Sequence, residues 1–141
     1  MKKRYLIIGL IIIFVSCAED ENNTPTKPID DTFDPTGATL IKEGMLMGSG
    51  GYTVMGTATI YLKDGVNVLV LDPFSSSNGP DLRVYLSRDV SASSFLNLGM
   101  LKSIMGKQTY VIPGNPDFTE FTHVHVYCQQ FSVSFGKAEI H

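Results

Sequence analysis

From Tyr52 to Leu62 the side chains alternate in character. Tyr52, Val54, Gly56, Ala58, Ile60 and Leu62 fall on one parity, and Thr53, Met55, Thr57, Thr59 and Tyr61 on the other. A period of two puts neighbours on opposite faces of a pleated strand and is incompatible with a helical stripe. Asp64-Gly65 follows, between Leu62 and Val66. That dipeptide is a hairpin signal, because both central positions of a type I′ turn need φ > 0. The returning run, 66–71, is apolar on both parities, which predicts a strand deep in its sheet.

The same texture fills the chain from Thr39 onward. Leu82, Val84 and Leu86 alternate with Arg83, Tyr85 and Ser87, and further strands are expected over 40–47, 99–102, 107–112, 122–128 and 131–135. A helical turn is expected near 91–96, and a Ser-, Asn-, Gly- and Pro-rich loop over 72–81. About eight short strands at this spacing predict an all-β fold, an antiparallel β-sandwich or barrel. A chain of this size buries an adequate core without disulfides.

The N-terminus carries a different message. Lys2, Lys3 and Arg4 precede an apolar run of about 11 residues, 5–15, too short to span a bilayer. It reads as a signal peptide over 1–16, ending at Ser16-Cys17. A small residue before cysteine resembles a lipobox, in which Cys17 is acylated and the preceding bond cut. Phe14 departs from the usual leucine there, and cleavage nearby without lipidation is the alternative. Buried acyl chains add about 0.8 kcal/mol per CH₂, so several on one cysteine anchor a protein durably. The expected location is the cell envelope, lipid-anchored to the outer membrane. Glu19, Asp20 and Glu21 resemble surface-export signals of Bacteroidota lipoproteins; a solvated linker start is the simpler account.

Residues 17–38 read as an acidic, flexible tether, since Asn22, Asn23, Thr24, Pro25, Thr26, Lys27 and Pro28 show no periodic apolar face. The domain then spans 39–141. The chain has 11 bases and 14 acids, and losing the leader removes three bases and no acids, leaving a net charge of −6. No basic stripe exists to drive counterion release, so nucleic acid is not an expected partner.

With Cys17 acylated, Cys128 is the remaining thiol. It shares a parity with Val124 and Val126, which points it into the core as an inert small hydrophobe. His123, His125 and Tyr127 take the other, more solvated face. Two imidazoles at that spacing suit a transition metal, with Glu120 or Glu139 as a third ligand, although exposed strand histidines are the commoner outcome. His141 is terminal and uninformative. Ser75, Ser76, Ser77 and Asn78 are oxygen donors without EF-hand spacing, and self-capping turns explain them better. Met45, Met47 and Met55 offer soft ligands for a metal or haem, or simply packing. Serine-hydrolase, phosphate-loop and zincin motifs are absent, so no classical enzyme is expected.

Four ordered blocks together resemble the electron-transfer DM-thirteen domain of bacterial lipoproteins and animal extracellular proteins. They are Gly51-Tyr52-Thr53-Val54-Met55-Gly56-Thr57-Ala58; Asn78-Gly79-Pro80-Asp81-Leu82-Arg83-Val84-Tyr85-Leu86-Ser87; Leu98-Gly99-Met100-Leu101-Lys102 with Gly106-Lys107-Gln108-Thr109-Tyr110-Val111-Ile112-Pro113; and Val126-Tyr127-Cys128-Gln129-Gln130-Phe131-Ser132-Val133-Ser134-Phe135-Gly136-Lys137-Ala138. The resemblance implies a β-rich domain in which Cys128 acts in redox chemistry, as a bare thiol or as a ligand to haem or another redox group. Tyr127 stands where the family tends to have Trp, and the histidines lie outside the pattern. Two functions follow as expectations: a redox accessory module serving an envelope partner through Cys128, or a non-catalytic surface binding or adhesion module whose cysteine is structural.

Overall fold

The computed structural model describes residues 23–141. The signal peptide, the Cys17 lipidation site and the acidic triplet lie outside them. Nine strands run in order: β1 Ile29–Asp30, β2 Thr39–Gly48, β3 Val54–Lys63, β4 Val66–Ser76, β5 Leu82–Ser87, β6 Phe95–Met100, β7 Gly106–Ile112, β8 His123–Cys128 and β9 Val133–Glu139. No helix occurs among the described residues, so none there is long and apolar enough to cross a membrane. The fold is all-β, as the alternation predicts.

All nine strands belong to one sheet, ordered β1-β7-β4-β3-β2-β9-β8-β5-β6. Neighbours are antiparallel except β1 and β7, which run parallel. The sheet curls into a half-barrel and wraps its concave face around the core. Leu69, Leu71, Ile60, Val84, Leu86, Val124, Val126 and Cys128 are all fully enclosed there. Each such aliphatic side chain contributes on the order of 1.5–3 kcal/mol when removed from water.

The β3–β4 hairpin closes as expected, with φ of 50° at Asp64 and 76° at Gly65. β4 runs on to Ser76, past the expected loop start, because Phe74 continues the buried face and Ser76 N–H donates to Ile104. The expected helical turn near 91–96 is instead a turn organised by Asp89, followed directly by β6. Its carboxylate accepts from the N–H groups of Ser91, Ser93 and Ser94. A buried polar cluster closes the β6–β7 link: Tyr110 donates to Gln108 Oε1 at 2.7 Å, and Lys102 N–H donates to the Tyr110 oxygen at 3.0 Å.

Residues 23–38 are the described part of the segment expected as a flexible tether. They form a strap docked on the domain. Ile29 and Asp30 pair with Gly106 and Lys107, covering an edge that β7 would otherwise expose. Ser103 donates to the Lys27 carbonyl, and Asp31 accepts from Lys102 and Thr109. Gly106 permits this approach: at φ 100°, an added Cβ would lie 1.9 Å from the Ile29 carbonyl oxygen. Backbone pairing and an ion pair need no apolar periodicity, which is why composition alone reads as linker.

Candidate functional site

Strand β8 presents two chemically opposite faces. On the inner face, Val124, Val126 and Cys128 have zero exposure. Cys128 is a free thiol, and its Sγ donates to the Pro80 carbonyl at 2.9 Å. Leu82 is its cross-strand neighbour on β5 and Val133 on β9. Strand parity therefore places this sulfur correctly.

The loop that receives the thiol is built for that purpose. Asn78 Oδ1 caps the Gly79 N–H, and Gly79 lies against the Phe135 ring, where an added Cβ would come within 2.7 Å. Phe135 in turn stacks on Tyr52 at 3.6 Å between centroids. The Asp81 carbonyl accepts from Gln129 N–H. Three of the four sequence blocks thus converge around Cys128, and their residues are spent on packing and backbone hydrogen bonds.

A haem ligand at Cys128 does not fit this arrangement. The sulfur has no exposed surface and a hydrogen-bonded carbonyl at van der Waals range, and it lines none of the clefts described below. Seating a macrocycle there would require opening the 78–81 loop.

On the outer face, the two histidines part company. His125 is fully buried, contrary to the expectation of a solvated pair. The 88–94 turn folds over it and offers the Asp89 carbonyl to Nε2 at 3.3 Å, while Ser134 Oγ meets Nδ1 at 2.9 Å. A neutral imidazole satisfies both partners when Nε2 donates to the Asp89 carbonyl and Ser134 turns its one hydroxyl proton to Nδ1 rather than to the Gly136 carbonyl 3.1 Å away. Burial pushes its pKa down to about 4, partly opposed by the Asp89 carbonyl. With both nitrogens engaged, His125 is not an available ligand. Asp89 itself is held near a pKa of about 2 by its hydrogen bonds to Ser93, Ser91 and Ser94.

His123 stays half-buried, with its ring 6.2 Å from that of His125. It opens into a cleft of about 320 Å³ that it shares with Met45, Met47, Val90, Lys137 and Glu139. Of the two acids expected as a third ligand, Glu139 lines this cleft, whereas Glu120 pairs with Arg88 at 3.4 Å. No group of three or more His, Cys, Asp or Glu side chains placed to hold a metal occurs among the described residues.

Sequence reasoning missed a second cleft. The strap crosses the outer face between β1 and β2, and Phe33 packs on Tyr61 at 5.1 Å. Beneath it, Glu43, Thr59, Asp72 and Lys107 line a polar hollow of about 320 Å³. Thr59 donates to Glu43 at 3.1 Å, and Lys107 to the Phe33 carbonyl at 3.1 Å. These groups are scattered from Phe33 to Lys107, so no local motif announces them. The Ser-rich segment is absorbed by β4 and its turn: Ser76 Oγ donates to the Ser77 carbonyl, and Ser77 Oγ accepts from Thr53 N–H.

An aromatic stack also reaches the surface beside Cys128. Tyr127 lies 4.9 Å from Tyr85, and Tyr85 lies 3.9 Å from the exposed Phe95.

No curated protein and no solved structure matches this chain. The family model described as Electron transfer DM13 matches residues 47–140, two-thirds of the sequence, taking in β3 to β9 and leaving out the strap and all but the last two residues of β2. The domain is thus an electron-transfer-related module by family, and the chain belongs to the Electron transfer DM13 family.

Proposed function

We propose that this chain is a lipid-anchored envelope protein whose β domain serves an electron-transfer partner through a group held on its outer face. Cys128 is then part of the core and not the redox centre. The observation that carries this reading is the enclosure of Cys128, with no exposed surface and its hydrogen donated to Pro80. A thiol in thiol–disulfide exchange must meet a partner sulfur, and this one meets only hydrocarbon and a carbonyl. Electron-transfer family membership supplies the other half of the argument. The signal-like N-terminus and Cys17 supply the anchoring half.

The test uses the full chain purified from membranes. Cys128 is expected to resist a maleimide reagent until the protein is denatured, and folded Cys128→Ala is expected to keep any bound redox group and its spectrum. Rapid native labelling, or loss of that group in Cys128→Ala, would return the redox role to the cysteine. Cys17→Ala is expected to release the chain from the membrane fraction; continued retention there would sink the anchor.

The cleft beneath the strap favours a second reading, a surface binding module for a small polar ligand. Carboxylates and a lysine beside two aromatic rings are the equipment of such a site. A saccharide panel that perturbs Tyr61 fluorescence, with the response lost in Glu43→Gln, would favour it. No response across the panel would remove it.

A further inference from the structure

We propose that the cleft beside His123 is a binding site for a soft monovalent cation, Cu⁺ by chemical class, held by the thioethers of Met45 and Met47 and the imidazole of His123. The binding claim stands on the cleft alone; only its use in electron transfer rests on the reading above.

The register of the sheet assembles the donors. Met45 and Met47 are two apart on β2 and project from its outer face, with exposures of 76% and 69%. Met47 pairs with Lys137 on β9, and Lys137 pairs with His125 on β8. One step along, Glu139 pairs with His123. The two thioethers and the open imidazole therefore flank β9 from opposite sides and line one cleft. Long, unbranched methionine side chains have the length and flexibility to fold over that strand onto a bound ion.

The hydrogen bonding of His123 prepares it as a ligand. Thr122 Oγ1 lies 2.9 Å from Nδ1 and 3.3 Å from the Arg88 carbonyl, which takes its single proton in the ligand-ready tautomer. The hydroxyl oxygen then accepts from Nδ1–H, which leaves the Nε2 lone pair free. Metal-binding imidazoles are oriented in this way, by a hydrogen bond from the other ring nitrogen. Lys137, the one lysine or arginine lining the cleft among the described residues, is drawn toward the Val90 carbonyl at 3.4 Å, and the exposed Glu139 carboxylate balances its charge.

The donor set selects the metal. Two thioethers and one neutral imidazole suit Cu⁺, whereas Ca²⁺ and Mg²⁺ demand several oxygens. Haem is a poor match, because all three donors rise from one face and supply no opposed axial pair.

The experiment titrates the full chain with Cu⁺ under anaerobic, reducing conditions against a chromophoric Cu⁺ chelator, with Ag⁺ as an air-stable check. One equivalent is expected to bind. Met45→Leu with Met47→Leu, and separately His123→Gln, are each expected to weaken binding by about tenfold or more. Cys128→Ala is expected to leave it unchanged. Methionine methyl NMR should shift at Met45 and Met47 and stay fixed at the exposed Met100. No binding, binding indifferent to these substitutions, or binding abolished by Cys128→Ala overturns the site. Stoichiometric binding without electron exchange to any acceptor keeps the site and removes the electron-transfer reading. A redox group found elsewhere, with no Cu⁺ bound here, does the reverse.

Discussion

The two faces of β8 differ by one residue in sequence and entirely in chemistry. Cys128 is nucleophilic by type yet enclosed, held between valines and a carbonyl. His123 is open, with one nitrogen oriented and the other facing a cleft. His125 lies on the same face as His123 but behaves like a core residue, because the 88–94 turn covers it. Reactivity in this fold therefore follows what packs over a position rather than the residue type at it.

Acid should expose this contrast most strongly. His125 is neutral in the folded state down to a pKa of about 4, while in the unfolded chain it protonates near 6.5. Below 6.5 the unfolded state takes up a proton that the folded state refuses, so stability falls as pH drops from 6.5 to 4. The full loss is about 3 kcal/mol, readable as a falling urea midpoint. His125→Gln should flatten that slope. An unchanged midpoint between pH 7 and 4.5 in the wild type would mean that the imidazole is not enclosed. The depressed carboxylates Asp31 and Asp89 act in a lower window, since their stabilisation is lost only below about 3.8.

Next in size is the inner face. Cys128→Ala removes a packed sulfur and its hydrogen bond to Pro80, and about 1–2 kcal/mol of stability should go with it. A variant as stable as the wild type would show that the thiol does not contribute to packing, and would weaken the structural account of this residue. The smallest effect belongs to His123→Ala, expected within about 0.5 kcal/mol because its ring faces a cleft. A cost comparable to that of His125 would erase the distinction between them.

Much of the strand plan was legible beforehand, for identifiable reasons. The alternation from Tyr52 to Leu62 and the Asp64-Gly65 turn are local signals, and both match the β3–β4 hairpin. The apparent helical turn failed because an Asp followed by serines caps a helix and a tight turn with the same hydrogen bonds. The strap escaped notice because its attachments are backbone pairing to β7 and the Asp31–Lys102 pair, 71 residues apart. The cleft at His123 was half legible: Met45, Met47 and His123 each stood out, but nothing local joins β2 to β8.

Sequence alone determined which side of β8 a residue occupies, because the pleat of a strand without a bulge alternates whatever surrounds it. It thereby placed Cys128 inward and His123 and His125 outward. Only tertiary structure decided that one of those outward histidines is sealed and the other open. Burial on the convex face depends on a turn folding back across 36 residues, and such a contact leaves no trace in local periodicity.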